Sequence, residues 1–310
     1  MDSDASKDAV RNPVSGGAPG GLTRLRAAVR GHWEQLSSAE RTVARHLATA
    51  PPEQLVFASA QQLAGVSGTS NATVVRTLQR LGYAGLPALK HELAADFTSS
   101  VAPEVRLQQR IAHVGKDLNG IWNDVFEETR ERIDRCRELN SVENLQAVVT
   151  VLASAGEVLC YGAAACEIAA RHLARALNRM GRPARFSGET GFALADPLLA
   201  LRPGDAVVVF QPGRLLRELD VIVESARSVG AKVVFVTDEL GDAFQDRVEG
   251  VLIAPHTATG ITNEGLTGLV VADALLLALA TIDETRAVET SHQLTALRER
   301  LLPDDQEHRR

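Results

Sequence analysis

The run Ser70-Asn71-Ala72-Thr73-Val74-Val75-Arg76-Thr77-Leu78-Gln79-Arg80-Leu81 places short polar and cationic side chains at the head of a helix-forming stretch. A helix of that kind can carry donors into the major groove of DNA, where each base pair shows a distinct pattern of donors and acceptors. Asn71, Thr73 and Arg76 suit base edges, with Arg80 one turn further on. Thr69 and Ser70 suit a phosphate, because hydroxyls and free backbone N–H groups gather at a helix N-terminus. Lys90, beyond the Gly82–Pro87 turn, is a second expected backbone contact. Singly, these residues fit the solvated face of a packed helix just as well; together they favour DNA.

A second set lies where apolar runs give way to helices. Val158–Tyr161 leads into Gly162-Ala163-Ala164-Ala165-Cys166, and Ala206–Phe210 leads into Gln211-Pro212-Gly213-Arg214. Small residues at such turns let backbone N–H groups approach an anion, and close strand-to-helix packing needs them too. Both loops fall at the carboxyl ends of expected parallel strands, where a ligand cleft forms. The expected ligand-binding residues are Gly162, Ala163, Cys166, Gln211, Gly213 and Arg214. An enzyme would need a positioned general base. Glu167, Glu189, Glu264 and His256 qualify by residue type alone, with no neighbour in sequence to tune them, so the expectation is a binding cleft without catalysis. Cys136, Cys160 and Cys166 form no C-x-x-C pair, and the eight histidines show no metal-binding spacing; neither a disulfide framework, a metal nor a cofactor is expected, and the cytoplasm is the natural compartment.

These residues need two frameworks to hold them. A chain of 310 residues, 45% hydrophobic and 23% charged, has room for roughly two domains. Its longest apolar run, Leu269–Ala280, is broken by Asp273, so no membrane span is expected. The net charge of −6 is unevenly spread: residues 21–97 carry +3 and residues 98–310 carry −8. A mildly basic front on an acidic body suits a DNA-reading head joined to a differently employed domain.

From Leu22 to Phe97 apolar residues recur every three or four positions, which reads as an all-helical unit. Ser37 and Glu40 offer a capping box, a helix begins near Ser59, and another runs from Ser70 to Gly82, giving a helix-turn-helix. Further on, apolar runs at Val158–Tyr161, Ala184–Phe186, Ala206–Phe210, Lys232–Val236 and Gly250–Ile253 alternate with amphipathic helices. That pattern indicates a parallel sheet covered on both faces. The expected organisation is a disordered tail over 1–20, a helix-turn-helix domain over 21–97, a linker over 98–120, an α/β three-layer domain over 121–302 and a polar tail over 303–310.

Residues 21–97 resemble the RpiR or MurR type of regulator. The likeness rests on Ala60-Gln61-Gln62-Leu63-Ala64, on Ser70-Asn71-Ala72-Thr73-Val74-Val75-Arg76, on Leu81-Gly82-Tyr83-Ala84-Gly85-Leu86, and on Lys90. Residues 120–290 resemble the sugar isomerase (SIS) domain that accompanies that head. The resemblance implies a transcriptional regulator that senses a carbohydrate derivative, with loops of the form G-x-G-x-S and S-x-S-G-x-T gripping a sugar phosphate. Here Ala164 stands at the second glycine and Cys166 at the serine of the first loop. Phe210, Pro212 and Leu215 stand at the hydroxyl positions of the second. A phosphate would then depend on backbone N–H groups and on the planar fork of Arg214. The expected partners are a double-stranded operator and a small-molecule effector. Helix-turn-helix proteins read paired half-sites, so a homodimer or homotetramer is expected. A sugar-phosphate isomerase, or a regulator with a vestigial cleft, is the alternative.

Overall fold

A computed structural model describes residues 20–90, 92–93, 107–108, 110–112, 116–213, 215–256 and 265–301. The expected tails, Arg214 and Glu264 lie outside, or almost wholly outside, the described residues. The chain divides into two compact units, Met1–Lys116 and Asp117–Arg310.

The first unit is all helical: α1 Gly21–His32, α2 Ser38–Thr49, α3 Pro52–Phe57, α4 Ala60–Ser67 and α5 Asn71–Arg80. Leu25, Val43, Leu47, Leu55, Leu63, Val74, Leu78 and Leu89 are buried together as its core. Ser37 opens α2 with the expected capping box: Ser37 N–H donates to the Glu40 carboxylate at 2.8 Å, and Glu40 N–H donates to Ser37 Oγ at 3.4 Å. Ser59 and Gln62 form a second such box at the head of α4. Helix α3 is not foreseen in the sequence, where Pro51-Pro52 reads as a stop. Pro52 instead occupies the first helical position, where its missing N–H costs nothing.

The second unit begins with α6 Leu118–Leu139 and α7 Val142–Ala153. It continues through β1 Val158–Tyr161, α8 Glu167–Arg179, β2 Ala184–Ser187, α9 Ala195–Leu199, β3 Ala206–Phe210 and α10 Arg217–Val229. Then come β4 Lys232–Thr237, α11 Gly241–Phe244, β5 Gly250–Ile253, α12 Leu266–Ile282 and α13 Glu284–Leu301. The five strands pair in parallel in the order β2-β1-β3-β4-β5. One sheet face packs Cys160, Val208, Phe210 and Val234 against α7, α8 and α12. The other packs Leu159, Val207, Val209 and Phe235 against α9, α10 and α11. The result is the three-layer α/β arrangement anticipated from the alternating runs. Strand order reverses between β1 and β3, so the loops after these two strands part to opposite sides and leave a crevice.

Two helices differ from the sequence reading. The sequence reading assigns no element to residues 141–157, whereas Ser141 caps α7 through its hydroxyl and Val148, Val149 and Leu152 are buried. Aliphatic runs of this kind carry little periodicity, since a helix pressed into a core is apolar on most sides. After Ile282 the chain turns by 107° at Asp283 and continues as α13, none of whose residues is buried. No single described helix is long and apolar enough to cross a membrane.

Candidate nucleic-acid interface and ligand cleft

Helix α4 ends at Gly68, whose φ of 61° lies in the left-handed region that glycine adopts without strain. Two residues later Ser70 caps α5: its Oγ accepts from Thr73 N–H at 3.2 Å. Thr69 Oγ1 lies 2.9 Å from Ser67 Oγ. Helix α5 buries Thr73, Val74, Thr77 and Leu78 against the bundle and leaves Asn71, Ala72, Val75, Arg76, Gln79 and Arg80 exposed. Thr73 is therefore a correction. It is only 8% exposed, its hydroxyl sits 3.0 Å from Ser70 Oγ, and it helps form the cap instead of facing solvent. Val75 and Gln79, which the sequence reading passes over, share the outward face with Asn71, being four and eight positions on.

Arg80 is exposed but already engaged. Its Nε lies 3.2 Å from Glu40 and its Nη1 donates to the Gln35 carbonyl at 2.7 Å, so it ties α5 to α2. The buried Glu40 carboxyl is held below the ordinary carboxylate range, chiefly by the backbone N–H of Ser37 and further by the guanidinium of Arg80. Arg76 Nε donates within its own helix, to the Ala72 carbonyl 3.3 Å away. Lys90 is half-buried in the helical turn at 86–90.

In the second unit, Cys166, Ala169, Phe210, Gln211, Pro212, Val236, Ala254, His256, Gly265, Thr267 and Gly268 line a cleft at the carboxyl ends of the strands. It holds about 380 Å³ of empty space, open solvent at its mouth included. Of the expected ligand residues, Cys166 and Gln211 line this cleft together. Gly162 and Ala163 do not. Gly162 sits where an added Cβ would fall 2.6 Å from the Cys166 carbonyl oxygen, so its smallness serves the passage from β1 into α8. Ala164 has a φ of 52°, a conformation that costs a residue with a Cβ free energy and that glycine adopts freely. Gly213 is covered: the Glu239 side chain lies over it, and a Cβ there would come within 2.6 Å of Oε2.

His256 is the cleft residue with the most developed surroundings. Asp238, whose side chain is 3% exposed, accepts from His256 N–H at 3.1 Å and lies 2.7 Å from His256 Nδ1 through the same Oδ2. The ring is thereby fixed in orientation. Asp238 has no sequence motif to announce it, since its partner is 18 positions away. The other acid–base candidates stand apart: Glu167 pairs with Arg171 at 3.1 Å, and Glu189 borders a separate depression beside β2 with Arg171, Ser187 and Asp196.

Residues 23–100 match the family description "Helix-turn-helix domain, rpiR family", and residues 151–278 match that of the SIS domain. The chain is 30% identical over 243 residues to the HTH-type transcriptional regulator YfhH of Escherichia coli strain K12, covering 77% of this chain and 83% of the relative. The chain belongs to the rpiR family of helix-turn-helix transcriptional regulators. Two solved structures share its fold. NanR of Vibrio vulnificus, complexed with ManNAc-6P, is 21% identical with a TM-score of 0.52, over 92% of this chain and all of that one. The sugar isomerase domain of an RpiR transcription factor from Sphaerobacter thermophilus is 23% identical with a TM-score of 0.52, over 56% of this chain and 96% of that one. Membership makes this chain a regulator with a DNA-binding head and a SIS-type body, and it accounts for the separation of the two sets of residues.

Proposed function

We propose that this rpiR-family regulator reads a two-part operator through the outward face of α5 and changes its hold on that operator when a carbohydrate derivative occupies the cleft between the β1 and β3 loops. The observation that carries the reading is the row Asn71, Ala72, Val75, Arg76 and Gln79 facing solvent on a capped, firmly docked helix. Asn71 and Arg76 supply the base-edge donors, with Val75 as an apolar contact for a thymine methyl. Ser70 and Thr69 bring the head of the helix to a phosphate, and Lys90 adds a cation on the flank. Arg80 serves by holding the recognition helix in place.

The sugar phosphate bound by NanR makes N-acetylmannosamine 6-phosphate the first probe for the cleft. With Glu239 over Gly213, an anionic group is better served by the first loop, at Cys166, than by the second. The effector is bound and released unchanged. His256, fixed by Asp238, recognises it as a donor or acceptor instead of moving protons to and from a carbon. A route from cleft to helix α6 is present in the hydrogen bonds of Asn140. Its Nδ2 donates to the Ile253 carbonyl at 2.7 Å and to the Cys136 carbonyl at 2.6 Å, and its Oδ1 accepts from Ile253 N–H at 2.8 Å. The end of β5, three residues before His256, is thus clamped to the end of α6. An effector shifts the regulator only by its differential affinity for the two arrangements this clamp connects.

The test uses the full chain, from which an operator is selected out of random duplexes. Metabolites that raise its melting temperature, beginning with N-acetylmannosamine 6-phosphate, are then added to the complex. A stabilising ligand that changes operator affinity by fivefold or more supports the reading. Turnover of that ligand, or stabilisation without any effect on DNA, contradicts it.

A further inference from the structure

Neighbouring residues of an extended chain point to opposite faces, yet just after β4 Asp238 and Glu239 bring their carboxylates to one place. The cause is the carbonyl of Pro212. It accepts the N–H groups of both Asp238 and Glu239, each at 2.8 Å, and the Thr237 hydroxyl at 2.9 Å, so the chain folds around a single acceptor. A third group arrives from beyond β5. Ala254 N–H donates to the Thr237 carbonyl at 2.7 Å, carrying the β4–β5 pairing past the strand ends, and the Thr267 hydroxyl of α12 donates to the Pro255 carbonyl at 2.6 Å. His256 is thereby set beside the two acids. One ligand atom from each of the three residues lies within 4.8 Å of the other two.

Like charges held this close call for a positive partner. Among the described residues no lysine or arginine meets Glu239, and a neutral imidazole brings a hydrogen bond without a charge. A dication balances both carboxylates. Two carboxylate oxygens and one imidazole nitrogen suit Zn²⁺ and its first-row neighbours, whereas Ca²⁺ takes a larger shell made of oxygens alone. Bonds of about 2.0–2.2 Å to a four-coordinate ion set its ligand atoms roughly 3.3 Å apart. The Asp238 Oδ2 to His256 Nδ1 separation of 2.7 Å is close to that, and the exposed Glu239 side chain can swing to complete the set. Three protein ligands leave a coordination position open. Since His256 lines the cleft, a hydroxyl or phosphate oxygen of an effector can fill it.

We propose that Asp238, Glu239 and His256 bind a divalent transition-metal ion, Zn²⁺ or a first-row neighbour, at the edge of the cleft. The proposal goes beyond the sensor reading by adding a cofactor to it, and it does not depend on operator binding. Coordination through His256 Nδ1 replaces the hydrogen bond to Asp238 and sends any proton on that nitrogen to solvent. The remaining ring proton then sits on Nε2, from which it can be donated to an effector. The ion also offsets two charges that otherwise repel an anionic effector.

The experiment titrates Zn²⁺ by calorimetry into the full chain, first stripped with a chelator and moved to metal-free buffer, and repeats this for Glu239→Gln, His256→Ala and His172→Ala. The wild type should bind one ion per chain at its tightest site and melt at a higher temperature with the ion than without it. Glu239→Gln and His256→Ala should each weaken that site about 10-fold or more. His172→Ala removes an exposed histidine that pairs with Asp273 between α8 and α12, and should bind like the wild type. Should His256→Ala lose its cooperative melt, Glu239→Gln decides the matter, because the side chain it alters is exposed. A wild type that takes up none of Zn²⁺, Co²⁺ and Mn²⁺ overturns the proposal, as does a Glu239→Gln chain that binds Zn²⁺ like the wild type. The sensor reading fails separately, if no metabolite changes operator affinity whether or not the ion is present.

Discussion

Replacing Glu40 with alanine should weaken the first unit by about 2 kcal/mol. Glu40 is buried and its carboxylate performs two tasks: it accepts the Ser37 N–H at 2.8 Å to complete the capping box, and it meets Arg80 at 3.2 Å, joining α2 to α5. Loss of the first leaves a half-buried N–H without its acceptor and removes half of a helix cap, worth about 1–2 kcal/mol. Loss of the second costs about 0.5 kcal/mol, because Arg80 is 53% exposed and the pair is screened by water. In a helical unit of this size that sum lowers the midpoint of thermal unfolding by roughly 8–16 °C. Circular dichroism of the full chain at 222 nm, which follows the first transition, measures it. Arg80→Ala is the control and should cost under about 1 kcal/mol.

The same carboxylate sets a pH dependence. Because its folded pKa lies below the ordinary 4.5, the stabilisation is fully present above that value and is lost as pH falls through the folded pKa. Glu40→Gln should flatten the stability profile in that window. A Glu40→Ala protein that melts within 2 °C of the wild type would refute the assignment of α2 and α5 as a unit held by this carboxylate.

Other outcomes follow from single contacts. Gly162→Ala places a methyl 2.6 Å from the Cys166 carbonyl oxygen and should cost about 1–3 kcal/mol, seen as a lower melting temperature of the second unit while operator binding by the first persists. Ser70→Ala removes the cap of α5 and should cost about 1 kcal/mol, read by urea denaturation of the full chain. Burial pushes the Cys136 and Cys166 thiols up to about 11 and raises Cys160 as well. Their contribution to stability is intact below the ordinary thiol value of 9.0 and declines as pH climbs toward 11. Iodoacetamide at pH 8 should accordingly label the folded chain much more slowly than the unfolded one, as mass spectrometry would record.

Local signals made much of this architecture legible. The capping serines at 37 and 70 are contained within four-residue patterns, and β1, β3 and β5 begin and end where their apolar runs do; β1 and β3, every residue of which is buried, read as unbroken apolar stretches because both faces are covered. Helices α3 and α7 were hidden for opposite reasons, one behind a proline that tolerates a helix start and the other inside an aliphatic run without a polar face. The site divides the same way. Asn71 and Arg76 could be assigned to the outer face of α5 by arithmetic alone, and that arithmetic, carried through, would have turned Thr73 inward and included Val75 and Gln79. Nothing local could reveal that Glu239 would lie over Gly213 or that Asp238 would hold His256, since both contacts join residues brought together only by the sheet.

The most direct test of the account is the affinity of the full chain for its selected operator, measured at fixed salt for the wild type, Arg76→Ala and Arg80→Ala, each against a scrambled duplex. If α5 reads bases, Arg76→Ala loses about 1–3 kcal/mol of operator affinity while its binding to the scrambled duplex changes far less. Equal operator affinity for the wild type and Arg76→Ala, or equal losses on both duplexes, would contradict it.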